Sequence, residues 1–383
     1  MVDEMRAYFR FATPVLCFSR RSTDAAILNG SAAVSSQNLN RRSYLRISVG
    51  SCVLAMVPVS SLRARGQYGS AAHGVAGVDT MFSMVYATMK LGFFAAEGLD
   101  IEHINSQSGP RSKQMLAAGQ LLITTTGVND SVALSLAGKP STVVFSLDRR
   151  VPVANILVHK DNLGPGKLQT VADLAGKTIA VTQPQSTAWL MAIYIADRFG
   201  IKDKVTVRGL GDTMTMFGAV KSKQVDATIA TLSMIDAAVQ EGWGAPLFDV
   251  TDERAWNQVF GGDVPGLGCY VLSESIDKRG AAIQAFVNAL IKGSDWVKAN
   301  SPEAIVELIY DDYLSGFPKH AALRAAASYK NGLWNYTSVL ERSSYDRLMA
   351  IMGDGRQFSN DELKRVPYEK AVDMSFVRKA RHI

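Results

Sequence analysis

Cysteine is scarce in this chain: three in 383 residues, at Cys17, Cys52 and Cys269. So few cannot build a disulfide framework for a chain of this length. Histidine is nearly as rare, and His73, His103, His159, His320 and His382 form no HExxH and no Cys/His cluster of zinc spacing. No metal site and no cofactor are therefore expected. GxSxG, a P-loop lysine and a GxGxxG after a strand are all missing, and Gly261–Gly268 has neither the lysine nor a following helix. Catalytic machinery of the common kinds is thus not visible, and an enzyme is not expected. The apolar run Ile47–Leu62 lacks charge for sixteen residues but contains four Ser, one Gly and one Pro. It is too short for a membrane-spanning helix.

What is present is ordinary globular material, 47% hydrophobic and 20% charged, enough for two domains and a sizeable core. The net charge of +6 suggests an anionic partner until it is located. Nine arginines and only three acids (Asp3, Glu4, Asp24) fall within residues 1–72, and the remainder is balanced at 32 basic and 32 acidic residues. Nucleic-acid binding by the body loses its support. Arg41-Arg42-Ser43-Tyr44-Leu45-Arg46, the apolar run and Arg63-Ala64-Arg65-Gly66 have the three-part layout of an export signal. The paired arginines resemble the twin-arginine signal. Residues 1–72 are read as an export leader, which places the mature protein outside the cytoplasm. Cys269 is then its lone cysteine, expected as a small core residue.

From Thr80 the pattern alternates. Strands are expected at Gly98–Ile104, Gln120–Thr125, Ser141–Ser146, Ala154–Val158, Lys177–Val181, Val205–Leu210, Ala227–Ala230 and Cys269–Leu272. Helices are expected around Met84–Phe94 and at Pro110–Ala118, Ser131–Ala137, Thr187–Phe199 and Thr213–Ser222. Such alternation predicts an α/β fold with parallel sheets. The helix-to-strand turn of Met115–Ile123 recurs at Ala219–Ile229, as two lobes of similar plan would produce. Crossings near Arg149–Val153 and Gly262–Gly268 would make a two-strand hinge. Lobe 1 is expected to comprise residues 78–150 and 266–383, and lobe 2 residues 151–265.

Four segments then carry a resemblance: Phe93–Glu102, Gln114–Gln120, Leu168–Val181 and Pro367–Val377. Their order and spacing resemble the extracytoplasmic solute-binding proteins of ABC importers, in the nitrate/sulfonate/taurine branch with the type II periplasmic-binding fold. The resemblance implies two lobes closing on a small polar or anionic solute such as a sulfonate, nitrate or organic acid. It also implies delivery to an inner-membrane permease by a monomeric carrier. Leu121-Leu122 stands where the family often has an acid. Thiamin-pyrimidine synthases, which resemble the same branch, are the alternative, but their cysteine-rich motif is not found here.

Ligands of parallel α/β sheets bind beyond the carboxyl ends of strands. Applied here, that rule selects six loops. The family resemblance carries Phe82 and Ser83, with Tyr86 nearby, at the entry to the first helix. Arg111, after Ser108-Gly109-Pro110, could reach an anion. Thr125, Thr126 and Asn129 follow a buried strand. Gln183, Ser186 and Thr187 resemble the family's anion-facing loop. Asp212 and Thr213 would favour an amine or cap a helix. Thr231 and Ser233 sit where the family often faces its solute.

Overall fold

The computed structural model describes residues 67–354 and 356–383; most of the segment read as an export leader, with Arg41-Arg42, lies outside them. Ten strands form two five-stranded sheets. The first contains β1 (Ser70–Val75), β2 (Asp100–Asn105), β3 (Ile123–Gly127), β4 (Ser141–Ser146) and β10 (Leu267–Leu272), in the order β2-β1-β3-β10-β4. The second contains β5 (Asn155–His159), β6 (Thr178–Val181), β7 (Thr206–Gly209), β8 (Ala227–Ala230) and β9 (Gly244–Phe248), in the order β7-β6-β8-β5-β9. Each sheet has a parallel set, β2-β1-β3 or β7-β6-β8. In each, one antiparallel strand is inserted between the third and fifth positions. That strand is the one the chain enters after crossing between sheets: β5 on the way out, β10 on the way back. Each sheet with its helices is called a lobe below.

Two expectations need correction. β1 starts at Ser70, inside the stretch assigned to the leader. Its sequence Ser-Ala-Ala-His-Gly-Val lacks bulky alternating residues, so it does not read as a strand. Small residues are needed there because the helix Gly109–Ala117 presses on it: a Cβ at Gly74 would lie 2.7 Å from Ser112 Oγ and 2.5 Å from Leu121 Cδ1. Second, the helix expected around Met84–Phe94 is two, Ser83–Lys90 and Phe93–Ala96, broken at Gly92 by its left-handed φ of 70°. β9 and the long helix Glu274–Ala299, which packs over β10 and β4, add to the expected elements.

The crossings touch through a buried carboxylate. Asp148 accepts from the Gly266 N–H at 2.6 Å and the Leu267 N–H at 2.8 Å, so the outgoing strand holds the returning one. Burial pushes its carboxyl up to about 8 while those two donors pull it down. Beside it, Arg149 donates to Asp263 at 2.8 Å.

A protic row crosses the first sheet. Cys269 Sγ lies 3.1 Å from Thr125 Oγ1, which lies 2.7 Å from His73 Nε2, and the His73 ring meets His103 edge-on. Burial pushes the Cys269 thiol up to about 12, as expected of a core cysteine. His103 is structural but not fully satisfied, since its Nδ1, like that of His73, is buried without a partner. Burial, reinforced by His103, holds His73 well below its usual value. The folded state therefore keeps His73 neutral while the unfolded chain protonates near pH 6.5. The stability this lends is full above that pH and is lost as pH falls toward the native value, at about 1.4 kcal/mol per unit. Asp130 and Asp148, raised by burial, slope the opposite way, so the informative quantity is a difference. In urea unfolding, a His73→Gln variant should gain stability relative to the parent as pH drops from 7 to 5. A constant gap would mean that His73 is not held neutral.

Candidate functional site

The strand-end loops of the two sheets face each other, and hydrogen bonds cross between them. Thr231 Oγ1 donates to Asp79 Oδ2 at 2.7 Å, and Ser233 Oγ to Thr80 Oγ1 at 3.1 Å. Thr187 Oγ1 donates to Asn129 Oδ1 at 2.7 Å, and the Leu232 N–H points to the Tyr329 hydroxyl at 3.4 Å. Asp79, Thr80, Asn129, Thr231 and Ser233 are all buried.

Helix starts explain why these groups are presented. Asp79, Ser186, Asp212 and Thr231 each cap a helix, accepting from the backbone N–H of Met81, Trp189, Thr215 and Met234. Ordinary capping therefore brings polar side chains to the strand ends, where free N–H groups also gather.

Among the expected residues, the structure gathers Asn129, Thr187, Thr231 and Ser233 at the seam, with Thr126 bonded within the first lobe. Thr126 shares a hydrogen bond with the Tyr270 hydroxyl at 3.0 Å and donates to Asp130 at 3.2 Å. Asn129 Nδ2 is buried without a partner, a donor free for something in the cleft. Ser186 is buried at its cap. Gln183 is half-buried beside it.

Others point elsewhere. Thr125 faces the core row with His73 and Cys269. Tyr86 stacks on Tyr313 at 4.3 Å and donates to the Gly77 carbonyl. Ser83 donates to the Thr80 carbonyl at 2.6 Å. Phe82 is wholly buried and tilts against Tyr86. Both carboxylate oxygens of Asp212 are spent on Thr215, the next helix turn, with Thr213 half-buried between them. Arg111 is exposed, and its Nη1 donates to Gln107 on its own turn.

Sequence reasoning missed the residue with the most distinctive surroundings, Asp79. It is 1% exposed. It accepts from the Met81 N–H at 3.0 Å and from Thr231 of the opposite lobe, with the Ser233 and Tyr329 hydroxyls alongside. Burial pushes its carboxyl up, those donors pull it down, and no cation contributes. Among the described residues, no lysine or arginine pairs with it. The other buried carboxylate here, Asp130, differs: Lys113 Nζ lies 3.7 Å away, and burial raises its pKa to about 6. Tyr329 and Trp334, stacked at 5.6 Å, complete this wall, with Trp334 Nε1 donating to the Met81 carbonyl. An acid before a helix start reads as a cap, and aromatic partners some 250 residues away leave no local signal.

A family model described as NMT1/THI5 like matches residues 79–304, more than half of the chain. The chain belongs to that family. A relative with a curated name, the formylaminopyrimidine-binding protein of Halalkalibacterium halodurans, is 22% identical over 252 residues, covering 63% of this chain and 69% of the relative. Solved structures similar to this NMT1/THI5-like chain include one from Bordetella bronchiseptica RB50 (TM-score 0.73, 21% identity, 82% of this chain and 97% of that one). The periplasmic nitrate-binding protein NrtA of Synechocystis PCC 6803 follows with TM-score 0.64 and 14% identity, covering 82% and 88%. The alkanesulfonate-binding protein SsuA of Xanthomonas axonopodis pv. citri gives TM-score 0.60 at 18% identity, covering 73% and 90%. These likenesses establish the periplasmic-binding-protein fold. Among the described residues, no helix of this family member is long and apolar enough to cross a membrane.

Proposed function

We propose that the protein is the exported solute-binding component of an ABC-type importer, closing its two lobes on a small solute and presenting it to a membrane permease. The fold neighbours and the hydrogen bonds across the seam support a hinged trap of this kind. The reading places it outside the cytoplasm. Catalysis like that of the thiamin-pyrimidine synthases is not favoured: Cys269 is a buried thiol held protonated, and His73 beside it is fully buried.

One observation supports a solute class. Asp79 is a buried carboxylate at the lobe seam with no cation beside it, while Arg111, the cation expected to hold an anion, is exposed and bonded to its own turn. A sulfonate or nitrate would meet an unscreened like charge there. A solute with a positive charge or polarised N–H donors would supply the countercharge that Asp79 lacks. The aromatic pair Tyr329 and Trp334 suits a flat ring. Aminopyrimidines meet all three conditions, and the Halalkalibacterium relative is named for binding one. A thermal-shift screen should therefore show stabilisation by amino- and formylaminopyrimidines and none by taurine, alkanesulfonates or nitrate. Stabilisation by the anions alone would overturn the solute assignment and leave the trap standing.

A further inference from the structure

Besides the seam hydrogen bonds and the Arg324–Asp236 pair, a second arginine ties the lobes together. Arg356 follows the helix Arg342–Met352, which belongs with the first lobe through Tyr368–Ala371 and β4. Its Nε donates to the Ile351 carbonyl and its Nη2 to that of Ala350, both at 2.8 Å. Two carbonyls of the helix's last turn are thereby satisfied. Its remaining fork atom, Nη1, reaches Asp197 of the second lobe at 2.6 Å, and the guanidinium lies 5.3 Å from the ring centre of Tyr194 on the same helix. The Arg356 side chain is only 10% exposed. The neighbouring Gln357 donates to the Gln185 carbonyl, in the second lobe's strand-end loop.

Asp197 explains why this pairing matters. It stands in the last turn of the helix Thr187–Arg198, where the helix already presents negative partial charge and a carboxylate is misplaced. Arg356 brings positive charge from the opposite lobe to two helix C-termini at once. Separating the lobes would strip Asp197 of that partner while leaving Arg356 its own carbonyls and Asp354, so this pair adds its own penalty to opening, beside the seam hydrogen bonds and the Arg324–Asp236 pair.

We infer that Arg356 and Asp197 form a latch that biases the protein toward closure and so sets solute affinity without touching the solute. The inference rests on the two-lobe trap reading. Affinity scales with the fraction of molecules already in the binding-competent form, so the latch acts as a positioning device.

X-ray scattering on the unliganded protein tests it, with melting temperatures recorded in parallel. Asp197→Asn leaves the capping of Ala350 and Ile351 intact and removes only the charge across the seam. It should raise the radius of gyration, with the closed-to-open ratio falling about fivefold or more, while the melting temperature hardly moves. Arg356→Gln should open the protein similarly, and the double variant no further than either single one, as expected of partners. An unchanged radius for Asp197→Asn overturns the latch, as does a fall in melting temperature with no change in radius, which would reduce Arg356 to a helix cap. If Arg356→Gln does not fold, Asp197→Asn decides alone. Failure of the trap reading looks different: a solute found in the thermal-shift screen would then fail to compact even the parent.

Discussion

Asp79→Asn should abolish most solute binding while leaving the unliganded protein as stable as before, or more so. The carboxylate is buried, and burial raises its pKa, so the charge costs the empty fold some stability that the neutral amide does not. The solute would lose its charged partner in a water-excluded site. Losing one member of a buried, hydrogen-bonded charge pair costs about 2–5 kcal/mol, or roughly 30-fold or more in affinity. Titration calorimetry of parent and variant with an aminopyrimidine found in the screen measures this directly. The parent's affinity should also weaken as pH falls through the Asp79 pKa, because protonation removes the same charge. Arg111→Ala, at an exposed arginine bonded only to Gln107, should stay within about threefold of the parent, under 1 kcal/mol. A tenfold loss in Arg111→Ala with none in Asp79→Asn would reverse the solute class to an anion.

The second large effect belongs to the crossing strands. Gly266→Ala should destabilise the protein by about 2–5 kcal/mol, the sum of overpacking and of weakened buried hydrogen bonds. The added Cβ would lie 2.5 Å from Pro152 Cδ, 2.9 Å from Val151 Cα and 3.1 Å from Asp148 Oδ2. Val151 Cα is backbone and cannot rotate away, so the strands must part. Parting them lengthens the 2.6 and 2.8 Å bonds that Asp148 accepts. Gly266 does not need a positive φ, so backbone strain adds nothing to the penalty. Urea unfolding should show a lowered midpoint with an unchanged slope. A midpoint equal to the parent's would mean that the crossings are loosely packed.

The sequence reveals elements wherever their own residues carry the signal. Ser141–Ser146 and Ala227–Ala230 are strands at the expected bounds because both are continuous uncharged runs with β-branched residues at their centre, buried throughout. The cap of the helix Thr213–Lys221 by Asp212 is likewise a local matter. β1 is hidden because its small residues answer to a neighbouring helix rather than to strand propensity. Thr125 and Thr126 show the limit within a single strand. Adjacent side chains of β3 point to opposite faces, so one joins His73 in the core and the other meets Tyr270 and Asp130. Reading the loop as a unit could not assign the faces. Asp79 and Arg356 are the extreme cases, since their meaning lies in Thr231, Tyr329 and Asp197, partners brought near only by the tertiary fold.

The exchange of one strand at each crossing also sets an order of events during synthesis. All five strands of the second sheet lie within residues 155–248, so that sheet is complete once Phe248 has left the ribosome. The first sheet, although it begins at Ser70, lacks the strand between β3 and β4 until Leu272 is made. Until then β3 and β4 have unpaired edges, which invite wrong pairing. The half of the protein translated first is thus the last to be finished. A nascent chain arrested with Phe248 just exposed should resist proteolysis across residues 155–248 and be cut freely within residues 70–146.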